Sequence, residues 1–433
     1  MQDAGAPYLM RSRTAILNVT VQAFAYACKF LLLLGLARLL PVREVGEYGL
    51  ITVTIGILLY LFGLDFYVYS SRLMVAESNE GKARVIRNQF ALYFANYLFV
   101  LPLATVVFFF DILEGKYLGI LCALAVLEHL CQEIYRILVM LSRPLSATGI
   151  LLLRNGIWVV PTLLLMHSID TWRTLDTVLY VWLAFDVVAL LLGIHLLRFL
   201  DWKSARTGAI DWQWIKRGIR VSLPFLAATF ALRTVTSFDR YSIERFWGTE
   251  VVGIYTLYAG LANAIPLLLE TAVFMLAYPA IIAAYQRGDH AAHAGLTRAM
   301  ARRTLIVLLP ALVAATLLIF PLLRLIGRPV YAQNINTYWV LLAASTLSTM
   351  AMIPHTVLYA QGRDKEIIAV TFAGCVGAVV LNLALVPVLK DLGAALATLG
   401  GFGLIFAFKS VYARGALAPG SQTLAEHHPG YSE

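Results

Sequence analysis

Apolar residues are grouped in long blocks along this chain, and short polar stretches rich in arginine and lysine separate the blocks. Many blocks approach the length of about 20 residues that an α-helix needs to cross the hydrocarbon core of a bilayer. The pattern therefore predicts an all-α polytopic membrane protein with about twelve transmembrane helices. The predicted spans are about 14–39, 46–71, 88–110, 117–141, 147–168, 177–198, 221–243, 250–284, 303–326, 335–360, 366–389 and 392–413. The eighth is long enough to be kinked, and Pro266 and Pro279 supply the cause.

Composition supports a membrane protein. The 433 residues are 60% hydrophobic and 14% charged, whereas soluble domains average about 45–50% apolar and about 25% charged residues. The net charge of +9 comes from cations in short loops between apolar blocks, which is typical of membrane topology and not of a nucleic-acid-binding surface. The four cysteines lie inside apolar blocks without metal-ligand spacing. We therefore expect no nucleic-acid partner, no metal and no cofactor.

Charge in the loops predicts the orientation and the domain limits. An even number of spans places both termini on one side, and most arginines and lysines of the connections and span ends, with Lys409 counted among them, fall on that side. The positive-inside rule then makes both termini cytoplasmic. The longest inner connection mixes basic residues with tryptophans, as at a headgroup region. The predicted parts are an N-terminal six-helix bundle (1–200), a basic cytoplasmic linker (201–220), a C-terminal six-helix bundle (221–413) and a disordered cytoplasmic tail (414–433).

One short element occurs twice. VREVGEYGL (42–50) and TEVVGIYTL (249–257) share a Val-Gly-x-Tyr sequence, and Arg38 and Arg245 precede the two copies at the same distance. Pro102 and Pro310 repeat at nearly the same offset. We interpret the repeat as the trace of a duplication that produced two pseudo-symmetric bundles, in which glycine permits a tight helix start. Such repeats usually flank a binding site near the middle of the membrane.

Three segments carry a family resemblance. ARLLPVREVGEYGL, SFDRYSIERFWGTEVVGIYTL and the stretch that begins AQGRDKEIIAV resemble the polysaccharide transporter branch of the MOP (multidrug, oligosaccharidyl-lipid and polysaccharide) exporter superfamily, which includes O-antigen flippases. The resemblance covers nearly the whole chain and implies a MATE-like fold, in which a V-shaped pair of bundles rocks between inward- and outward-facing states. On the matching motif it assigns cargo binding to Asp239 and Arg240.

The same resemblance implies the cargo and the location. The cargo would be an oligosaccharide repeat unit on undecaprenyl pyrophosphate, moved from the cytoplasmic to the outer leaflet of the bacterial inner membrane for lipopolysaccharide or other polysaccharide biosynthesis. The expected partners are this lipid-linked oligosaccharide, membrane lipids and the polysaccharide polymerase machinery. Which glycan is carried, and which ion or gradient drives transport, stay open.

Two cations inside spans are the main candidates from physics alone. A charged side chain at the bilayer centre costs about 2.5–3.5 kcal/mol on insertion scales, so it indicates function. Lys29 in span 1 and Arg233 in span 7 each lie on a polar stripe with helical spacing and could bind the pyrophosphate. Structural ion pairs with neighbouring helices are the alternative. The stripes are Asn18, Gln22, Tyr26 and Lys29, and Thr229, Arg233, Ser237 and Arg240.

Other buried charges are candidates with two interpretations each. Arg154 could receive phosphate from the cytoplasmic side or extend to the headgroups. Asp65 and Glu270 could pair with Lys29 and Arg233, or carry protons in a coupled cycle. His129 could relay protons or simply pack, and Asp239 could be an interfacial charge at the outer end of span 7. Glu133 and Arg136 can pair within a helix, and Asp186 is a further candidate.

Four alternatives to a polysaccharide flippase are open. A lipid II flippase is the nearest, but the second-half motif resembles the polysaccharide branch more, and no spans beyond twelve are predicted. A membrane glycosyltransferase, polymerase or ligase needs acidic or histidine residues on substantial outer loops, and the outer loops here are short, so we expect no enzyme and no catalytic residue. A cation-coupled drug antiporter of the same superfamily uses buried acids to bind cations, whereas span 1 carries Lys29. A structural membrane protein would not need charged stripes on two equivalent helices.

Overall fold

Helices make up nearly all of the chain that the computed structural model describes, which is residues 6–74, 77–206 and 208–417. In the N-terminal half they are α1 (Ala6–Leu39), α2 (Val42–Gly63), α3 (Tyr67–Met74), α4 (Asn79–Ala104), α5 (Val106–Phe109), α6 (Leu118–Met140), α7 (Pro144–Leu152), α8 (Val159–Ser168), α9 (Leu175–Leu196) and α10 (Trp202–Arg206). In the C-terminal half they are α11 (Trp212–Trp247), α12 (Thr249–Ala262), α13 (Ala264–Leu269), α14 (Met275–Gln286), α15 (His290–Ile326), α16 (Pro329–Gln333), α17 (Ile335–Ala360) and α18 (Asp364–Leu417).

The prediction of an all-α polytopic protein is confirmed. Within the described ranges, 11 continuous helical stretches are long and apolar enough to span a membrane. The last stretch contains Lys390 with φ 55° and ψ −134°, a non-helical conformation that divides α18 into two helices. Counting α18 twice gives the about twelve crossings expected from the apolar blocks.

Span 2 is shorter than predicted, and this moves Asp65. The predicted span reached residue 71, but α2 ends at Gly63, and Leu64 and Asp65 follow with left-handed φ values of 50° and 49°. The Leu64 N–H still donates to the carbonyl of Tyr60, which closes the last turn. Aspartate tolerates this conformation better than most residues. Asp65 is therefore in a helix break, and its placement inside a continuous span is wrong.

Prolines account for the interruptions in two long spans. Proline cannot donate to the carbonyl four residues earlier, so Pro266 makes no helical hydrogen bond to the carbonyl of Ala262, and α12 ends at that residue. Pro279 and Pro161 each follow a π-helical segment, at Glu270–Phe274 and Leu153–Ile157. The predicted kinks at Pro266 and Pro279 match these breaks. The two π-helical segments carry Glu270 and Arg154, and such segments are frequent at functional sites.

The chain forms two compact units, and α11 contributes to both. The first contains the residues up to Arg233 together with Arg240–Leu261 and Phe320–Asn334; the second contains Thr234–Asp239, Ala262–Ile319 and the residues from Ile335 onward. These units differ from the predicted 1–200 and 221–413, and those limits, with the 201–220 linker, stay a prediction. Nearly all of the predicted tail, residues 418–433, lies outside the described residues.

Each unit has its own close-packed interior. In the first, a core around Cys131, Ile134 and Ile137 of α6 is completed by Gly193 of α9, whose missing side chain leaves room for Ile134. In the second, Val235 packs with residues of α17 and α18, among them Ile405. Small residues at such contacts let helices approach closely, which is how helices associate in lipid. α6 is the element that positions the candidate site.

Candidate functional site

Glu128 on α6 is the centre of a cluster of polar side chains inside the first unit. It forms an ion pair with Arg154 and accepts a hydrogen bond of 2.8 Å from the Trp182 indole N–H. Arg154 also donates to Gln132 at 3.1 Å. The rings of Trp158 and Trp182 stack in parallel, with centroids 5.7 Å apart. We call Glu128, Arg154, Gln132 and Trp182, with Lys29 and Asp186 described next, the Glu128 cluster.

Lys29 and Asp186 complete the Glu128 cluster without joining its ion pair. Lys29 interacts electrostatically with Glu128, Asp186 and Arg154. Lys29 is exposed, and it forms no hydrogen bond or ion pair with any described residue. Asp186 is fully buried, and neither of its carboxylate oxygens has a hydrogen-bond partner in the described structure. Two cations and two carboxyl groups thus share this interior.

A second polar cluster lies further along α6, around Glu133. The Glu133 carboxylate accepts from Arg136 at 2.6 Å, from Tyr93 at 2.6 Å and from Gln89 at 3.0 Å. The Arg136 guanidinium in turn lies 3.8 Å from the ring centre of Tyr67 on α3. The predicted Glu133–Arg136 pair within one helix is confirmed. Because every group here is bonded to a fixed neighbour, this cluster ties α3, α4 and α6 together.

His129 packs between the two clusters. Its Nδ1 is 2.6 Å from the Tyr97 hydroxyl, and its ring meets Phe62, Tyr93 and Tyr97 edge to face. Nε2 is buried and has no hydrogen-bond partner in the described structure. A β-carbon on Gly63, the last residue of α2, would lie 3.0 Å from that nitrogen. These contacts fit the packing interpretation, and the relay interpretation stays a prediction.

Asp65 and Arg233 lie in one electrostatic neighbourhood. The Asp65 carboxylate is hydrogen-bonded to the Thr229 side chain and interacts with Arg136 and Arg233. Arg233 donates to the Tyr60 hydroxyl at 2.8 Å, and its guanidinium lies 5.0 Å from the centre of the Tyr60 ring. Asp65 and Arg233 thus interact electrostatically, and the pairing of the buried acids with Lys29 and Arg233 stays a prediction. The acids beside Lys29 are Glu128 and Asp186 instead.

The motif residues Asp239 and Arg240 belong to different units. The Arg240 guanidinium lies 5.3 Å from the ring centre of Tyr255 in the first unit. Asp239 is 2% exposed in the second unit, where Thr398 donates to its carboxylate at 3.5 Å. α11 continues to Trp247, well beyond the predicted end at residue 243. Asp239 is therefore buried within α11 and not in its last turn, and its interpretation as an interfacial charge stays a prediction.

Glu270 stands apart from the other candidates. It lies in the π-helical segment before Met275 in the second unit, is exposed, and forms no ion pair with a described residue. Its carboxylate acts electrostatically on Tyr278 of α14. The expected pairing of Glu270 with a buried cation is therefore not among its contacts in the described structure.

A small pocket of about 360 Å³ lies among the α1–α2, α5–α6 and α8–α9 connections, at the predicted outer face of the first unit. Three of its acids, Glu44, Glu47 and Glu114, each accept a hydrogen bond of 2.6–2.9 Å. A hydrogen bond from Lys116 lowers the pKa of the Glu114 carboxyl. These hydrogen bonds hold the three helix connections together. The lining residues are Arg43, Glu44, Glu47, Glu114, Lys116, Tyr117, Thr174, Leu175 and Asp176.

Two features were not predicted from the sequence. Glu128 was given no role of its own, although Glu128 and Gln132 are four residues apart on α6 and so share a face. Lys409 was counted as a cytoplasmic loop residue, but it is 7% exposed inside α18, which continues to Leu417. Among the described residues no three His, Cys, Asp or Glu side chains are grouped so that they could hold a metal ion.

Comparison with known proteins gives one family and one fold. Residues 12–285 match the family described as "Polysaccharide biosynthesis protein". No curated protein sequence matches the chain. An inward-facing multidrug resistance MATE-family transporter of the MOP superfamily is similar with a TM-score of 0.75 at 15% identity, over 93% of this chain and 98% of that chain. A MATE in the bent conformation is similar with a TM-score of 0.61 at 15% identity, over 94% of this chain and 95% of that chain. An outward-facing multidrug resistance MATE-family transporter is similar with a TM-score of 0.60 at 16% identity, over 93% of this chain and 95% of that chain.

Proposed function

Because the chain belongs to the polysaccharide biosynthesis protein family and has the fold of MOP-superfamily transporters, we propose that it is a flippase for lipid-linked oligosaccharides. The cargo is an oligosaccharide repeat unit on a polyprenyl pyrophosphate. It moves from the cytoplasmic to the outer leaflet of the bacterial inner membrane by alternating access, and the prenyl tail stays in lipid.

The observation that carries this proposal is that Lys29 has no hydrogen-bond or ion-pair partner among the described residues. An ammonium group has three N–H donors, and the Lys29 ammonium forms no hydrogen bond or ion pair with a described residue. A charged group in a membrane-spanning helix is costly unless it serves a partner. Lys29 also lies beside Arg154, so a phosphate group that reaches it meets a second cation. These features support binding of an anionic cargo.

In the proposed site, an entering anion must compete with the present partners of Arg154. Its guanidinium is held by Glu128 and Gln132. Arginine binds phosphate through two parallel hydrogen bonds, so an incoming pyrophosphate can replace Gln132 and share Arg154 with the carboxylate. Repulsion from the Glu128 carboxylate then keeps binding reversible. Release is necessary for transport, so a site that also holds a carboxylate suits a carrier better than a purely cationic one.

Arg233, Arg240 and Asp239 are proposed as further cargo contacts. Arg233 is exposed and lies over Tyr60, so a sugar phosphate bound there would meet a cation beside an aromatic ring. Arg240 lies over Tyr255 in a similar way. We assign Asp239 to sugar hydroxyls because a carboxylate repels phosphate. No catalytic residue and no cofactor are part of the proposal.

A cation-coupled drug antiporter is the second candidate, and Asp186 is the observation that favours it. A buried carboxylate with two unpaired oxygens is the kind of group that binds a proton or a small cation. The solved structures similar in fold include multidrug resistance transporters. In this alternative Asp186 would bind the coupling cation, and the positive charge of Lys29 nearby would weaken that binding.

Deleting the gene in the source bacterium separates the two candidates. A flippase deletion makes undecaprenyl-linked repeat units accumulate on the cytoplasmic leaflet and removes surface glycan. An antiporter deletion changes drug resistance and leaves surface glycan unchanged. Complementation with Lys29→Gln or Arg233→Gln should fail at normal expression, while the exposed-site controls Lys116→Gln and Arg84→Gln should restore export. Wild-type export by both Lys29→Gln and Arg233→Gln contradicts the assignment of the cationic contacts.

The orientation and the partners belong to the same proposal. Both termini face the cytoplasm, and the basic inner loops contact anionic lipid headgroups. The polysaccharide polymerase machinery would receive the flipped repeat unit at the outer leaflet.

A further inference from the structure

Lys409 and His355 bring two nitrogen bases together inside the second unit. Lys409 Nζ lies 3.2 Å from His355 Nδ1, and the Lys409 residue is 7% exposed. Neither side chain has another hydrogen-bond partner in the described structure. Because an ammonium group can only donate, Nδ1 must be the unprotonated, accepting nitrogen of the imidazole when Lys409 is charged.

Among the described residues, no carboxylate forms an ion pair or hydrogen bond with Lys409 or His355. On α18, the carboxylate of Glu366 is held by Arg363 at 2.8 Å. Arg363 itself is fixed to the carbonyl of Tyr412, one helical turn beyond Lys409.

The neighbouring helices α17 and α14 also bring no described charged side chain into contact with Lys409. On α17, Tyr359 stacks on His355 with ring centres 6.2 Å apart. On α14, Tyr278 lies 5.7 Å from the Tyr359 ring. Glu270 acts on Tyr278 and not on Lys409 or His355. The pair is therefore a buried basic site without an ion-pair partner among the described residues.

Physics limits such a pair to one proton. A second proton would place two positive charges about 3 Å apart in a low-dielectric interior, which Coulomb repulsion forbids. A single charge without a counter-ion is also costly to bury, and buried groups of this kind often lose the proton instead. The pair can give up that proton without losing its hydrogen bond, since a neutral amine N–H still donates to Nδ1.

We propose that His355 and Lys409 form a proton-binding site of the second unit, which binds and releases a single proton. On release, the Lys409 ammonium transfers its proton to water, hydronium leaves, and amine and imidazole both remain neutral. On binding, the site gains one positive charge. That charge favours a state in which water reaches α17 and α18, so proton occupancy biases the conformation of this unit. The site is independent of the Glu128 cluster and of the cargo.

Proton counting on the purified full-length protein in detergent tests the site. A pH-indicator dye measures the protons taken up between about pH 9 and pH 6. The wild type should take up about one proton more per molecule than Lys409→Gln over this range. The control is Lys365→Gln, because Lys365 is an exposed lysine of the same helix, α18, and is not part of the pair. Lys365→Gln should match the wild type.

Lys409→Arg makes the test independent of folding defects in Lys409→Gln. Arginine keeps the cation but cannot be deprotonated in a protein. The arginine variant should therefore lack the same proton while its circular dichroism and thermal unfolding stay close to wild type. Equal proton uptake by the wild type, Lys409→Gln and Lys409→Arg would overturn the proposal. Because no transport is measured, that result would leave the flippase proposal standing, and failed glycan export would leave this site standing.

Discussion

Gly46 and Gly253 bring the backbones of α2 and α12 into direct contact in the first unit. A β-carbon on Gly46 would lie 2.0 Å from the carbonyl oxygen of Thr249 and 3.0 Å from the backbone nitrogen of Gly253. A β-carbon on Gly253 would lie 2.1 Å from the carbonyl oxygen of Val42. The two copies of the Val-Gly-x-Tyr element therefore pack against each other through equivalent glycines. A helix crossing this close has no room for a side chain.

Substitution of either glycine should weaken this crossing. Gly46→Ala and Gly253→Ala each force a methyl group into backbone atoms, and overpacking of this kind costs about 1–3 kcal/mol. Gly56→Ala is the matched control, because Gly56 is also in α2 and a β-carbon there would meet nothing within 4 Å. The control should be neutral or slightly stabilising, since alanine favours helix by about 0.5–1 kcal/mol over glycine. Thermal unfolding in detergent measures all three. Equal melting temperatures for Gly46→Ala and Gly56→Ala would contradict the close contact.

The Glu128–Arg154 pair should be far more sensitive than a surface pair. Removing one partner of a buried ion pair costs about 3–5 kcal/mol, because the other charge stays buried without compensation. Arg154→Gln should therefore lower the unfolding temperature strongly. Arg84→Gln breaks an exposed pair with Glu80, which is worth about 0.2–1 kcal/mol, and should have little effect. If both variants unfold at the same temperature, Arg154 is not held by Glu128 as the structure shows.

Tyr97→Phe distinguishes the two interpretations of His129. The change removes the hydroxyl 2.6 Å from Nδ1 and leaves the buried imidazole without its hydrogen bond, which costs about 1–3 kcal/mol. If His129 only packs, folded Tyr97→Phe protein transports at the wild-type rate. Phe94 next to it offers Phe94→Leu as an exposed control for stability. A normal melting temperature with lost transport would instead indicate a proton relay through His129.

The transmembrane helices could be predicted closely because lipid leaves little choice. Every backbone polar group in a bilayer must be bonded internally, so a long apolar block becomes a helix. The predicted 117–141 corresponds to Leu118–Met140, and the predicted 335–360 to Ile335–Ala360. Prolines marked the interruptions as well, because their effect is local.

The polar contacts could not be predicted because they depend on packing between helices. Periodicity placed Lys29 on a polar stripe, but only the fold shows Glu128 and Asp186 as its acidic neighbours. The left-handed break at Asp65 lies inside an apolar block, and Gly63 beside it is a weak signal because glycine also occurs within transmembrane helices. Burial of Lys409 was missed because a lysine near the end of an apolar block is ordinarily an interfacial residue.

The most direct measurement is flipping by purified protein in liposomes that contain a lipid-linked oligosaccharide. Enzymatic modification of the sugar at the outer surface would report how much cargo has crossed the bilayer. Wild type and Lys116→Gln should flip at equal rates, and Lys29→Gln should be slower by about tenfold or more, which corresponds to about 1.4 kcal/mol of lost cargo interaction. Equal rates for Lys29→Gln and wild type, or no flipping by folded wild-type protein, would contradict the proposed function.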